Sequence, residues 1–460
     1  MIPMRLDEIA GVVRGDVHGD PALEVTGHAY VDNRSPVAGG LFVAILGERV
    51  DGHEYAAGAH AVLGSRPTDA PTVVVADPVV ALGRLARHVV DRTPATLLAL
   101  TGSVGKTGTK DYLAAVLERL AGRDRVAATE GNGNNELGVP LTVLRAGATT
   151  DYLVVEMGAR GIGHIAYLCE VAPPRISAAL NVGSAHVGEF GGREQIALAK
   201  GEIVEALPAD GVAVLNADDP LVAAMASRTQ ARIVTFGRKG AVRYDAMELD
   251  ALGRPGFTLV HGDEAHPVRL LQTGAHQAQN ATAAAAMAVA AGFPLADVAA
   301  ALSQVTPASR WRMEVHERAD GLLVVNDAYN ASPDSMRAAL EALAAIGRAG
   351  GRRTIAVLGQ MLELGTEHEA GHRSVGTDAV RLGVDVVVVV GEPAAPIAEA
   401  IAAADGPVVI RTEGRDEALA WVRQNAGSED VVLIKASRGA ALEWVAERLL
   451  GDPGGPDDPR

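Results

Sequence analysis

An apolar run at residues 95–100 leads directly into Thr101-Gly102-Ser103-Val104-Gly105-Lys106-Thr107, and a helix-like pattern follows, with Leu113, Val116, Leu117 and Leu120 on one face. Strand, glycine loop, Lys-Thr and helix in that order admit few folds, because this is the context of a phosphate-binding loop in an α/β sheet. The glycines let backbone N–H groups turn inward on phosphate oxygens, and the helix N-terminus adds positive potential. In that arrangement Gly102, Ser103, Val104 and Gly105 cradle the phosphates. Lys106 neutralises the outer ones and the Thr107 hydroxyl faces a magnesium ion. A full Walker A pattern has a further glycine where this chain has Leu100, so the motif is the shorter Gly-x-x-Gly-Lys-Thr.

The rest of the chain must accommodate that loop. At 460 residues it is too long for one ordinary core, and two or three domains are expected. Aromatic residues make up only 3%, so the cores must be built from Ala, Val and Leu. The net charge is −16 and no strongly basic run interrupts it, which argues against a nucleic-acid platform but not against a nucleotide ligand. Cys169 is the single cysteine, excluding an intramolecular disulfide and a multi-cysteine metal site. The first residues, MIPMRLDEIAGVVRGD, carry acidic groups where a signal peptide needs an apolar core. Residues 275–295 are alanine-rich but studded with polar groups, a soluble helix and not a membrane span. A cytoplasmic enzyme with no integral membrane segment is expected.

Three blocks emerge, all α/β. Residues 1–94 hold short strand-like runs at 40–46 and 72–75 and form a small N-terminal domain. Residues 95–308 open with the phosphate loop and carry strands near 152–155, 176–181 and 212–216, a central domain with a mostly parallel sheet. Residues 309–450 alternate apolar runs at 322–325, 354–358, 384–390, 408–410 and 431–434 with helical segments, a Rossmann-like C-terminal domain. Its first helix is well marked, with Ser332 as N-cap, Pro333 in the first turn, Asp334 against the dipole, and Met336, Leu340 and Leu343 facing inward. Residues 451–460 form a Pro/Gly/Asp-rich tail expected to be disordered.

Four features follow the phosphate loop. GNGNNELGVP (131–140), with Asn134 and Asn135, is either a polar substrate loop or a plain turn. Glu156 ends an apolar strand, where ligands gather in open α/β sheets, and suits magnesium; the alternative is a surface carboxylate. His186 lies in a glycine-rich loop after another strand and is either a ligand or a structural histidine. Lys200, in ALAKGEIVEAL, reads on its own as a solvated helical lysine paired with Glu202 or Glu205.

Together these residues resemble the Mur ligase family of ATP-dependent amide-forming enzymes, over nearly the whole chain. The family pattern has Thr-Gly-x-x-Gly-Lys-Thr, an asparagine-rich loop, a strand-end Glu, a later strand-end His, and a lysine carbamylated by carbon dioxide that aligns with Lys200. GAHQAQNATAAAA (274–286) resembles the family's His-Asn-x-x-Asn helix, whose last residue, here Asn280, approaches adenine; Gln277 replaces the first Asn. Arg312 in WRMEV matches the arginine that opens the third domain and reaches the ATP phosphates, with Trp311 in place of a common glycine. Asp327 matches an acidic residue near the nucleotide.

Within the family, NDAYNASPDSMRAAL (326–340) and VLGQMLELG (357–365) are similar to signatures of the members that add a D-alanyl-D-alanine dipeptide, with Ser332 and Gln360 as departures. VDNRSPVAGG resembles the uridine-binding region, which assigns Asn33 and Arg34 to the UDP substrate. The resemblance implies ATP, two magnesium ions held by Thr107, Glu156, His186 and carbamylated Lys200, and catalysis by Lys106, Glu156, His186, Lys200, Arg312 and Asp327. It implies UDP-N-acetylmuramoyl-tripeptide and D-alanyl-D-alanine as substrates and a monomeric enzyme. Asn134, Asn135, Tyr329, Asn330, Lys435, Ser437 and Arg438 are the expected substrate contacts, the last five at strand ends of the third domain.

Overall fold

A computed structural model describes residues 1–47, 50–183, 192–404 and 406–451. The chain is α/β throughout and its larger sheets are mostly parallel. His186 and nearly all of the 451–460 tail lie outside the described residues.

The N-terminal region folds around a five-stranded sheet of β1 (Asp16–His18), β2 (Ala29–Tyr30), β3 (Leu41–Val43), β4 (Ala61–Gly64) and β5 (Thr72–Val74), in the order β1-β5-β4-β3-β2. Helix α1 (Leu6–Val13) packs on it, and α2 (Pro78–Arg92) packs on α1 and on helices of the central region. Asp77 caps α2 by accepting from Val79 and Val80 N–H, and Pro78 begins the helix where no N–H is needed. The core of this region is not closed on itself. Leu82, Leu85 and Val89 of α2 belong to one continuous buried cluster with Leu168 and Ile203 beneath the central sheet.

The central sheet has nine strands: β6 (Thr96–Thr101), β7 (Val126–Ala128), β8 (Tyr152–Glu156), β9 (Ile176–Ala179), β10 (Val212–Asn216), β11 (Arg232–Phe236), β12 (Val242–Leu249), β13 (Pro255–His261) and β14 (Glu264–Arg269). Their order is β14-β13-β12-β11-β10-β9-β6-β8-β7. Strands β6 to β11 pair in parallel, while β12 to β14 form an antiparallel arm. Thr-Leu-Leu-Ala-Leu-Thr of β6 is buried after its first residue, as expected for a strand covered on both faces. β6 sits between β8 and β9, where the chain changes direction across the sheet, and the phosphate loop leaves its carboxyl end at that switch point. Helices α3 (Lys106–Ala121), α4 (His164–Val171), α5 (Arg193–Glu205) and α6 (His276–Ala290) flank the sheet. The buried face of α6 is almost entirely alanine (Ala281, Ala283 to Ala286 and Ala288), which lets it pack closely along α3.

The third sheet orders β15 (Glu314–Glu317), β16 (Leu323–Asn326), β17 (Arg353–Leu358), β18 (Val386–Val390), β19 (Val408–Thr412) and β20 (Asp430–Lys435) as β15-β16-β20-β17-β18-β19. All pairs are parallel except β15 with β16. Helices α7 (Pro333–Gly350) and α8 (His368–Leu382) cover one face, and α9 (Glu443–Leu450) the other. α7 starts in a reciprocal capping box between Ser332 and Ser335, with Pro333 at its first turn, and buries Met336, Leu340 and Leu343.

Candidate nucleotide and ligase site

The phosphate loop turns on Gly105, whose φ of 80° is left-handed and opens α3. Asn181, just beyond β9, fixes the loop's shape: its Oδ1 accepts from Ser103 and Val104 N–H, both at 3.0 Å, and its Nδ2 donates to Val104 O at 3.0 Å. The sequence motif does not include this asparagine. Its position at the end of the strand beside β6 is the one signal that could have found it. Lys106 folds back to donate to Gly102 O at 2.7 Å. Burial holds its ammonium below the usual lysine range, against the pull of Glu156 and with a smaller push from Arg312.

Glu156 ends β8 and is 1% exposed. Its Oε2 accepts from the Thr107 hydroxyl at 3.0 Å and its Oε1 from Asn134 Nδ2 at 2.8 Å. The surface-carboxylate alternative is therefore excluded. A buried carboxylate, a hydroxyl and an amide-bearing side chain converging beside a phosphate loop fit a hard, oxygen-seeking magnesium ion. Asn135 turns its Oδ1 inward, accepting from Gly138 N–H at 2.9 Å, and so shapes the polar loop.

Lys200 is 5% exposed on α5, which overturns its reading as a solvated lysine. Neither acidic neighbour pairs with it. Glu202 accepts from Gly163 and Ala166 N–H at the start of α4, and Glu205 pairs with Arg228. Among the described residues the Lys200 ammonium has no hydrogen-bond or ion-pair partner. Burial, then the charge of Lys106, pushes it well below the usual lysine value. The next residue, Gly201, leaves room for the Arg228 guanidinium, which donates to Ala197 O at 3.0 Å and Leu198 O at 2.8 Å and so braces the helix that carries Lys200.

Opposite, α6 brings Asn280 against the loop so closely that a Cβ on Gly105 would sit 2.5 Å from Asn280 Oδ1. Gln277, the residue that departs from the family pattern, holds Asn280 in place by accepting from its Nδ2 at 3.1 Å. The third domain closes a cleft of about 430 Å³, lined from its side by Arg312, Asp327, Tyr329, Asn330 and Lys435 among others. Arg312 lies over the Tyr329 ring at 4.2 Å.

Some expected substrate contacts are engaged elsewhere. Lys435 is 2% exposed, and its ammonium reaches Asp327 Oδ2 at 2.6 Å, Asn330 O at 2.9 Å and Asp327 O at 3.4 Å. Three acceptors match its three donors. In this arrangement it anchors the Asp327 carboxylate, instead of offering a free cation. Ser437 is buried, with its hydroxyl accepting from Leu362 N–H at 2.9 Å, and does not line the cleft. Arg438 also lies off the cleft, paired with Glu443 at 2.6 Å and stacked on Trp311. Asn33 and Arg34 are exposed in the N-terminal region, where Arg34 pairs with Asp32. The cleft also takes in Asp334, read from sequence only as a partner of the α7 dipole, and Glu363, an exposed non-glycine residue at φ 63° to which the sequence reading gave no role. An unusual backbone angle leaves no trace in composition or periodicity.

Comparison with known proteins agrees with this geometry. Residues 100–288 match the Mur ligase middle domain and residues 311–438 the Mur ligase glutamate ligase domain. The UDP-N-acetylmuramoyl-tripeptide–D-alanyl-D-alanine ligase of Mycobacterium tuberculosis is 45% identical, with 98% of each chain covered. A crystal structure of MurF from Acinetobacter baumannii superposes with a TM-score of 0.87 at 32% identity, covering 97% of this chain and 99% of that one. MurF from Thermotoga maritima in complex with ADP gives a TM-score of 0.78 at 29% identity, covering 92% and 97%. With the phosphate loop, the buried Glu156 and Lys200, and the third-domain wall in one cleft, the chain belongs to the Mur ligase family.

Proposed function

We propose that this protein joins D-alanyl-D-alanine to UDP-N-acetylmuramoyl-tripeptide at the expense of ATP, forming the UDP-muramoyl-pentapeptide used in peptidoglycan synthesis, as a monomer in the cytoplasm. The observation that carries the reading is the 45% identity, over 98% of both chains, to a ligase of that name. No helix among the described residues is long and apolar enough to cross a membrane.

A carboxylate is a poor electrophile, and transfer of the γ-phosphoryl group turns the tripeptide's terminal carboxylate into an acyl phosphate. The dipeptide amine then attacks its carbonyl carbon, and inorganic phosphate leaves. Phosphoryl transfer asks mainly for alignment and charge neutralisation. The loop amides from Gly102 to Gly105 would hold the phosphates, and Lys106 would leave Gly102 O for the outer phosphate oxygens. Asn280 would contact the adenine. Thr107 and Glu156 would hold one magnesium ion, and His186 with carbamylated Lys200 a second; these ions supply charge neutralisation when bound. Lys200 suits carbamylation because a buried lysine held below its usual range presents the neutral amine that attacks carbon dioxide. Arg312 would reach the phosphates while Asp327, fixed by Lys435, borders the nucleotide. Asn134, Asn135, Tyr329 and Asn330 would contact substrate in the cleft, and Asn33 with Arg34 the uridine end. Closure of the third domain over the central one excludes water from the acyl phosphate.

The test is phosphate release from Mg-ATP with UDP-linked tripeptide, with D-alanyl-D-alanine or single amino acids added separately and product mass recorded. Release that needs both tripeptide and dipeptide, with the mass gain of one dipeptide, is expected. Release driven by a single amino acid, or indifferent to every acceptor, overturns the proposal.

A further inference from the structure

The segment joining the central and third domains carries an unusual pair of backbone angles. Trp311 has φ 57° and Met313 φ 51°, both left-handed, and they bracket Arg312. Two non-glycine residues persist in that region only where their surroundings over-determine it, and such strain gathers where geometry serves function.

The surroundings are explicit. The Trp311 indole lies against the Arg438 guanidinium at 4.1 Å and that of Arg310 at 5.0 Å, and its Nε1–H donates to Glu447 Oε1 at 3.1 Å. Its carbonyl accepts from Tyr329 N–H at 3.2 Å. Two residues on, Met313 N–H donates to Asp327 Oδ1 at 3.1 Å. Tyr329, Asp327, Arg438 and Glu447 all belong to the third domain. On the other side, the Ser309 hydroxyl donates to Asp111 Oδ2 at 2.6 Å, on the helix that follows the phosphate loop. The last anchor to the central domain is thus Ser309; on the third-domain side the exposed Arg310 guanidinium reaches Glu447 Oε1 at 3.4 Å, and Trp311 is the first residue tied by both its backbone and its ring.

We infer that Trp311 is a positioning residue: its clamped indole fixes Arg312 to the third domain and confines the pivot between the two domains to Ser309 and Arg310. Arg312 then travels as part of the third domain and arrives over Tyr329 already aimed. Arg438 acquires a role as the stacking partner of Trp311. A glycine at position 311 would adopt the same φ without strain but would have no clamp. The inference rests on the proposed function in one respect, that Arg312 meets the nucleotide phosphates.

The experiment compares W311G and W311F with the parent, each with and without R312K. Steady-state kinetics with all three substrates are read alongside hydrogen exchange at the Met313 amide. W311G is expected to lower kcat about 10- to 100-fold with the tripeptide KM within twofold, and to speed Met313 exchange at least tenfold. W311F, which keeps the stacked ring, is expected to stay within threefold of the parent on both counts. In the R312K background W311G is expected to cost less than threefold, since its effect runs through Arg312. A W311G kcat within twofold of the parent, an equal loss in the R312K background, or unchanged Met313 exchange overturns the inference. An inactive parent would instead overturn the proposed function, and the exchange measurement would still decide the clamp.

Discussion

Gly201→Ala sets two rules against each other. Glycine inside a helix is worse than alanine by about 1 kcal/mol, so on helix preference alone the change stabilises. The geometry opposes it. A Cβ at Gly201 would lie 1.7 Å from Arg228 Nη1 and 2.2 Å from its Cζ, and the guanidinium must swing away. It would forfeit its bonds to Ala197 O and Leu198 O and its pairing with Glu205. Hydrogen bonds from a charged donor are worth about 1.5–3 kcal/mol each when well made, and a surface ion pair about 0–1 kcal/mol. These carbonyls also serve the helix, so the trio is credited with about 2–3 kcal/mol in all. The net expectation is destabilisation by about 1–2 kcal/mol, a fall in Tm of roughly 2–8 °C for a domain of this size. Calorimetry on the parent, G201A, R228A and the double variant measures it. In the R228A background the obstruction is gone, and G201A should turn stabilising. A G201A protein with an unchanged or higher Tm in the parent background would refute the reasoning.

Other consequences are as direct. Lys200→Met should abolish ligation yet raise stability near neutral pH. In buffer free of magnesium and bicarbonate, where Lys200 carries its free amine, the unfolded chain below the usual lysine value of 10.5 binds a proton that the buried amine does not, so the parent loses stability as pH falls. The advantage of K200M should therefore grow toward low pH and vanish near pH 10.5, which melts across a pH series would show. Glu156→Gln keeps the shape but removes the charge facing Thr107, and kcat should fall on the order of a hundredfold or more, the scale of losing one preorganised electrostatic group, with a higher magnesium requirement in titrations. Burial pushes the Cys169 thiol up to about 12, so a thiol reagent at neutral pH should leave the native protein unlabelled and label it fully in denaturant.

The sequence was most informative where structure is local. Val212–Asn216 matches the apolar run read there, and Ser332, Pro333 and Met336 occupy the cap, first turn and buried face assigned to them. The antiparallel arm from Val242 to Arg269 left little signal, because β12 buries only part of one face and its alternation is broken by a register shift. Within the site, Thr107 and Glu156 were readable from motif and strand position. Lys200 was not readable from its neighbours, since a lysine flanked by glutamates on a helix has an obvious solvated solution. What excludes that solution is the packing of α5 against the sheet. Lys435, Ser437 and Arg438 show the same limit: a strand-end position says that a polar group is near the cleft, but only tertiary contacts reveal that its hydrogen bonds are already made.

The alanine face of α6 also bears on inhibition. Because α6 carries Asn280 against the phosphate loop on a face of minimal thickness, its alanines set the width of the nucleotide pocket, and of them Ala284 and Ala288 do so without lining it. A larger side chain at Ala284 or Ala288 would lift the helix and widen that gap. An inhibitor shaped to the gap can therefore lose its grip through changes two layers away, so resistance should be sought along the buried helix as well as among the residues that line the pocket.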